Sequence, residues 1–133
     1  PLLQENPASV VIANRTLEKA QTLADQFSDL GRIEACAFDD LAGEPFDWII
    51  NGTSASLSGD VPPLPESVVG EYSRCYDMMY SADVTPFNQW AANLGAAATY
   101  DGLGMLVEQA AESFRLWRGL MPPTGQVIAS LKG

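Results

Sequence analysis

The chain has 133 residues, 47% of them hydrophobic, which suits one domain with a sizeable core. Seventeen acidic residues against seven basic ones give a net charge of −10. That charge argues against nucleic acid, which binds clustered Lys and Arg, and against acidic membranes. We find neither a signal peptide nor an apolar run near the roughly 20 residues that span a bilayer. We therefore expect a soluble, cytoplasmic protein.

The sequence contains no histidine. This removes the commonest general base, the commonest zinc ligand and any Ser–His triad. Because there is also no CxxC or other metal-ligand spacing, we expect no metal site. Cys36 and Cys75 each lie in an apolar run, which predicts two reduced core residues.

Short β-branched runs alternate with helical repeats along the chain. Residues 1–6 resemble the last turn of a helix, and residues 58–66, rich in Gly and Pro, predict a loop. The predicted strands are 9–13, 33–38, 46–50, 74–79 and 96–100. The predicted helices are one capped by Thr16 and ended by Gly31, one from Thr85 to Leu94, and 103–118 and 126–131. This alternation predicts an α/β fold with a doubly wound parallel sheet, in which ligands bind at the carboxyl ends of the strands.

Polar residues follow the first of these strands. Asn14, Arg15 and Thr16 come directly after it, and Lys19 lies one helical turn later. At this point of a dinucleotide-binding fold, an acidic residue binds the ribose of NAD, whereas an Arg accommodates the 2′-phosphate of NADP. The residues alone leave two interpretations open: a phosphate site, or a capped surface helix with incidental charges.

Three further strand ends carry polar or glycine-rich segments. They are Asn51–Ser54, Asp77–Tyr80 and Asp101–Gln109. Glycines allow close approach of a ligand, and Met105 and Gln109, four residues apart, share one face of a helix. Taken singly, each segment favours an ordinary turn, core packing or a helix cap. Their occurrence on successive strand ends of one sheet favours a common site.

Together these segments resemble the C-terminal domain of the shikimate dehydrogenases, nearly throughout the chain from Ser9 on. Many members of that family have Pro at the position of Ala82 and Gly at that of Ser56, and neither departure removes a polar group. The matching segments are Asn14-Arg15-Thr16-Leu17-Glu18-Lys19, Asn51-Gly52-Thr53-Ser54-Ala55, Tyr76-Asp77-Met78-Met79-Tyr80, Thr85-Pro86-Phe87, and residues 101–110 with Phe114, Trp117 and Gly119 after them.

The resemblance implies a Rossmann-like fold, NADP as cofactor, and reversible reduction of 3-dehydroshikimate to shikimate. It implies that Asn14, Arg15, Thr16 and Lys19 bind the 2′-phosphate and that Met78 and Gly102 line the nicotinamide. Tyr80 and Gln109 would contact the small-molecule substrate. Thr53 and Met105, at neighbouring strand ends, complete the expected cofactor-binding set.

The resemblance also implies that a full family member contains segments with no counterpart in residues 1–133. The family's catalytic Lys and Asp lie in an N-terminal substrate domain, and its first strand and glycine-rich loop precede the helix that residues 1–6 resemble. We therefore expect residues 1–133 to be a fragment of the C-terminal NADP-binding domain, with no catalytic residue of its own. Such a fragment would be inactive alone, and its unpaired strand edges would favour self-association.

Two alternatives remain open. A quinate/shikimate dehydrogenase paralogue with looser cofactor choice would be favoured by an acidic residue near Arg15, and Lys19 argues against it. A non-catalytic nucleotide-binding or regulatory domain on the same fold is the second. Tyr80 and Gln109, which the resemblance assigns to substrate, argue against that one.

Overall fold

A computed structural model describes residues 1–41 and 43–132 of the chain. These residues form two compact units. The first unit comprises Pro1–Glu44 and Pro63–Val68, and the second comprises Pro45–Pro62 and the chain from Val69 onward.

The first unit is built on two parallel strands, β1 (Val10–Ala13) and β2 (Ile33–Cys36), with Val10 opposite Ile33. Helix α1 (Leu17–Gln26) connects them and packs on both strands. Its buried residues are the small Ala20 and Ala24, which let the helix approach the sheet closely. A 3₁₀ turn, Leu2–Glu5, precedes β1.

The second unit contains three parallel strands in the order β3 (Trp48–Asn51), β4 (Arg74–Asp77) and β5 (Ala98–Tyr100). Helix α2 (Pro86–Asn93) connects β4 to β5, and two helices follow β5, α3 (Leu103–Arg118) and α4 (Thr124–Lys132). Helix α2 packs on β4 and β5, and α3 packs on α4. The core of this unit includes Cys75, Phe87 and Ala91, each fully buried.

Parallel strands alternating with helices confirm the α/β class. The hydrogen-bonded ladders form two separate sheets, and none of the described residues pairs β1 with β3. Each of these two strands therefore keeps one edge without a strand partner in the described part of the chain. Among residues 1–41 and 43–132, no helix is both long and apolar enough to cross a bilayer.

Several predicted boundaries differ from the structure. Helix α1 ends before Gly31, because the Phe27 N–H bonds back to Ala24 in a tight turn, as does the Ser28 N–H to Asp25. Thr16 is at the N-cap of α1, but its side chain makes no capping hydrogen bond. Thr85 does cap α2, accepting from the Asn88 N–H, with Pro86 at the first helical position.

Helical spacing predicts one apolar face on α3, formed by Leu103, Val107, Ala110, Phe114 and Trp117, and the structure buries this face only partly. Val107 is buried as expected, but the second buried residue is Ala111 rather than Ala110. Phe114 and Trp117 are exposed, at 44% and 79%. Helical periodicity predicted the helix correctly. It cannot indicate how much of the apolar face is covered by other residues.

Neither cysteine forms a disulfide, and the two differ in burial. Burial raises the pKa of the Cys75 thiol to about 11. Cys36 is only half-buried, and its pKa is raised by burial and by the charges of Asp40 and Glu34. Because the thiolate is the reactive form, both should react more slowly than free cysteine at pH 8.

We predict that iodoacetamide at pH 8 alkylates Cys36 before Cys75 in the native chain. Cys75 is the more deeply buried and should react only when the second unit opens. Peptide mass spectrometry of timed samples would measure both rates, and the urea-unfolded chain is the control in which they converge. Equal native rates would show that Cys75 is not held in the core.

Candidate functional site

The end of β1 forms a tight polar corner in the first unit. The Thr16 N–H donates to Asn14 Oδ1 at 2.9 Å, and the Asn14 N–H donates to the Cys36 carbonyl at 3.2 Å. These two bonds fix the turn between strand and helix. Thr16, whose hydroxyl makes no capping bond, stands exposed at the N-terminus of α1.

The charges at this corner favour an anion. Arg15 and Lys19 are exposed, and neither forms an ion pair with another described residue. The helix N-terminus adds a partial positive charge on the same side. Glu18 lies in the same first turn and reduces this positive potential without cancelling it.

A buried carboxylate joins the ends of β3 and β4 in the second unit. Asp77 is 0% exposed and lies opposite Asn51 in the parallel register. Its Oδ1 accepts from Asn51 Nδ2 at 3.1 Å and from the Met79 N–H at 3.2 Å, while its Oδ2 accepts from Ser56 Oγ at 2.7 Å. Within the described residues no Lys or Arg pairs with it, so hydrogen bonds alone compensate its burial.

The same network shapes the turn that carries Thr53. Asn51 Oδ1 accepts from both the Thr53 N–H at 3.0 Å and the Thr53 hydroxyl at 2.8 Å. The Met78 side chain packs beside this turn, since a Cβ placed on Gly52 would lie 3.3 Å from Met78 Sδ. Gly52, the residue before Thr53, therefore lies against the Met78 side chain at adjacent strand ends.

Gly102, just after the end of β5, packs against the backbone just beyond the end of β4. Its N–H donates to the Met79 carbonyl at 2.8 Å. A Cβ on Gly102 would lie 2.0 Å from the Met78 carbonyl oxygen, a distance that no side chain can occupy. The backbone angle φ of Gly102 is −79°, so glycine is needed here for the close approach rather than for its conformation.

The remaining predicted residues are solvent-facing. Met78 and Tyr80 are 42% and 48% exposed, just beyond the end of β4. Met105 and Gln109 are both exposed on α3, one turn apart. These side chains are free to contact a ligand, unlike the buried groups that hold the strand ends.

The structure thus places the predicted residues in two groups, each within its own unit. Asn14, Arg15, Thr16 and Lys19 form the corner in the first unit. In the second unit Gly102 packs on Met78, and Thr53 lies in the turn beside Met78. Sequence reasoning missed the roles of Asn51, Ser56 and Asp77. A signal was present, because an Asn and an Asp each end a strand of a parallel sheet, but their pairing depends on a register that the sequence does not state.

Two family models match this chain. One, described as "Shikimate / quinate 5-dehydrogenase", matches residues 1–58, and the other, described as "Shikimate 5'-dehydrogenase C-terminal domain", matches residues 102–132. Over both ranges the chain is similar to the shikimate dehydrogenase family. The matched ranges include the polar corner at the end of β1, Thr53, and the segment from Gly102 to Gln109.

Curated members of the family extend the match over almost the whole chain. The NADP⁺ shikimate dehydrogenases of Cellvibrio japonicus and Alkalilimnicola ehrlichii are 58% and 55% identical, over 99% and 98% of this chain. In both cases the match covers 48% of the relative. The chain therefore spans about half the length of the curated relatives it matches.

Solved structures agree with the fold. An Ael1 enzyme from Pseudomonas putida superposes with a TM-score of 0.89 at 44% identity, covering 100% of this chain and 49% of the other. A shikimate dehydrogenase in complex with NADP⁺ superposes with a TM-score of 0.75 at 30% identity, covering 92% and 45%. The strand ends described above therefore belong to a Rossmann-like fold.

We predict opposite effects for alanine at two glycines of this segment. Gly102→Ala forces its Cβ onto the Met78 backbone and should lower the free energy of unfolding by about 2 kcal/mol or more. Gly104→Ala, in α3 with no atom within 4 Å of its Cβ position, should raise it by up to about 1 kcal/mol. Urea unfolding of both variants measures this. A Gly102→Ala variant as stable as the parent chain would contradict the close approach.

Proposed function

We propose that this chain supplies the NADP-binding part of a shikimate dehydrogenase, which reversibly reduces the C3 carbonyl of 3-dehydroshikimate with NADPH. The observation that carries the proposal is the corner at the end of β1. There, two exposed cations without ion-pair partners among the described residues flank a helix N-terminus. The names of the matched relatives and the NADP⁺ complex of a family member support it.

In this proposal the corner binds the 2′-phosphate of NADP. Arg15 offers a planar set of N–H donors that matches phosphate oxygens, and Lys19 adds a second charge one helical turn away. The Thr16 hydroxyl is free to donate because it makes no capping bond. Asn14 positions the turn by accepting from the Thr16 N–H, so its side chain orients the others.

At the strand ends of the second unit, Thr53, Met78, Gly102 and Met105 would contact the nicotinamide half of the cofactor. Gly102 is buried against the Met78 carbonyl, and the Met78 side chain beside it is exposed. Tyr80 and Gln109, both exposed, would bind hydroxyl groups of shikimate. A phenol and an amide suit that task, because each can donate and accept hydrogen bonds.

The proton-transfer groups would come from elsewhere. We propose that residues 1–133 are a fragment of the C-terminal cofactor-binding domain and that a catalytic Lys and Asp lie in a separate N-terminal substrate domain. Such an enzyme would act in the cytoplasm, without nucleic acid or membrane partners. The unpartnered edges of β1 and β3 support self-association of the chain when it is isolated.

The phosphate assignment predicts opposite effects for two substitutions in the first turn. Arg15→Ala should weaken binding of 2′,5′-ADP about tenfold or more, since charge-assisted bonds to phosphate are the strong kind. It should leave 5′-AMP, which lacks the 2′-phosphate, almost unaffected. Glu18→Gln should strengthen binding of 2′,5′-ADP by removing a like charge. NMR titration of the ¹⁵N-labelled parent chain and of both variants measures these affinities.

The matched control for this experiment is Arg118→Ala. Arg118 lies in the last turn of α3, in the second unit, and has no ion-pair partner among the described residues. Its loss changes the net charge as Arg15→Ala does but should leave both affinities unchanged. Equal weakening of 2′,5′-ADP and 5′-AMP by Arg15→Ala would mean that Arg15 supports the fold rather than the phosphate.

The substrate assignment predicts a separate effect for Gln109. In an enzyme that contains this chain, Gln109→Ala should lower kcat/KM for shikimate by about 5- to 100-fold, because a lost hydrogen bond to a buried partner costs about 1–3 kcal/mol. Binding of NADP should be spared. Steady-state kinetics and calorimetry measure the two, with exposed Gln126→Ala in α4 as control. A matching fall in NADP affinity would contradict the assignment.

A further inference from the structure

Asp77 is fully buried at the end of β4, and none of the cofactor or substrate assignments uses it. Its hydrogen-bond donors are the Asn51 amide, the Ser56 hydroxyl and the Met79 N–H, and no Lys or Arg among the described residues pairs with it. Burial of such a carboxylate is costly, and an apolar side chain of similar size would fill the same space without that cost. The carboxylate therefore calls for a role that an apolar side chain could not perform.

The peptide group between Met78 and Met79 is held on both of its sides. Its N–H, from Met79, donates to Asp77 Oδ1 at 3.2 Å. Its carbonyl, from Met78, lies against Gly102 so closely that no Cβ would fit between them. The structure shows no other acceptor for this N–H among the described residues. Loss of the Asp77 oxygen would therefore free the peptide to rotate, and the Met78 carbonyl would leave its place beside Gly102.

The surroundings of the Met78 side chain depend on Asp77 as well. Asn51 Nδ2 donates to Asp77 Oδ1 at 3.1 Å, which orients the amide so that its own oxygen accepts from both the N–H and the hydroxyl of Thr53. Gly52, between Asn51 and Thr53, packs against the Met78 thioether. Asp77 therefore holds both the backbone of Met78 and the turn on which its side chain packs.

We propose that Asp77 is a positioning residue for the nicotinamide end of the cofactor site, and that it acts through its hydrogen bonds with Met79 and Asn51. The inference rests on the proposed function, which assigns Met78 and Gly102 to that end. Asp77 itself is fully buried and would not touch the cofactor. It fixes the groups that do before the cofactor binds, so less conformational freedom is lost on binding.

The test compares two ligands on an enzyme that contains this chain. In the proposed site, 2′,5′-ADP contacts only the corner at the end of β1, whereas NADP also reaches the nicotinamide end. Asp77→Ala should weaken NADP binding about fivefold or more, and leave 2′,5′-ADP binding unchanged. Asp77→Asn keeps an oxygen that accepts from the Met79 N–H, so it should recover most of the affinity for NADP. Calorimetry measures both ligands on each variant.

The matched control is Cys75→Ala, two residues earlier on β4. Cys75 is fully buried, so its truncation destabilises the same strand without removing a hydrogen bond of Asp77. The ratio of the NADP and 2′,5′-ADP affinities should stay as in the parent enzyme. Equal weakening of both ligands by Asp77→Ala, or the same change of ratio in Cys75→Ala, would overturn the proposal, because loss of stability alone would then explain the effect.

A second measurement needs no substitution. In the ¹⁵N-labelled 133-residue chain, the Met79 N–H should exchange about tenfold or more slowly than the Tyr80 N–H, each relative to its intrinsic rate. The structure shows no acceptor for the Tyr80 N–H among the described residues. Similar rates would overturn the proposal even if Asp77→Ala does not fold. Failure of the proposed function is a different result, because the unsubstituted enzyme would then bind neither ligand, whereas the exchange rates are measured without one.

Discussion

The second unit depends on the burial of one carboxylate. Asp77 is fully buried, and among the described residues it has no cationic partner, which is tolerable only because several donors surround it. Those donors come from three places in the sequence: Asn51 at the end of β3, Ser56 in the turn after it, and the backbone beyond β4. Loss of any of these donors leaves the buried Asp77 carboxylate with fewer hydrogen bonds. Separating the ends of β3 and β4 would break these bonds, so the carboxylate holds the two strand ends together.

The close approach of Gly102 to the Met78 backbone also links the end of β5 to the end of β4. Its backbone rests on the carbonyls of Met78 and Met79, so the ends of β3, β4 and β5 are held by main-chain contacts and one buried carboxylate. The side chains assigned to ligands, Met78 and Tyr80, project from this frame and remain exposed. A rigid frame with free side chains is the arrangement that a binding site requires, because the frame holds the geometry while the side chains make the contacts.

The sequence predicted most of the elements because their signals are local. The bounds of α3 and the cap at Thr85 follow from helical spacing and from a Thr-Pro pair, and both are confirmed. The unpaired edges of β1 and β3 agree with the strand edges expected from the family resemblance, but the partial exposure of α3 was not predictable, since it depends on which surfaces meet. The same holds for the contact between Asn51 and Asp77, which are 26 residues apart and meet only through the strand register.

Ser56 shows what a local departure from a family pattern can mean. Many family members carry Gly at this position, and from the sequence the difference looks neutral because no polar group is lost. In the structure the serine adds one: its hydroxyl donates to Asp77 Oδ2 and also accepts from Asn51 Nδ2 at 3.3 Å. Asp77 Oδ2 accepts from no other described residue, so a chain with Gly here must satisfy that oxygen by another donor. Ser56 is therefore part of the buried hydrogen-bond network, and it strengthens the link between the ends of β3 and β4.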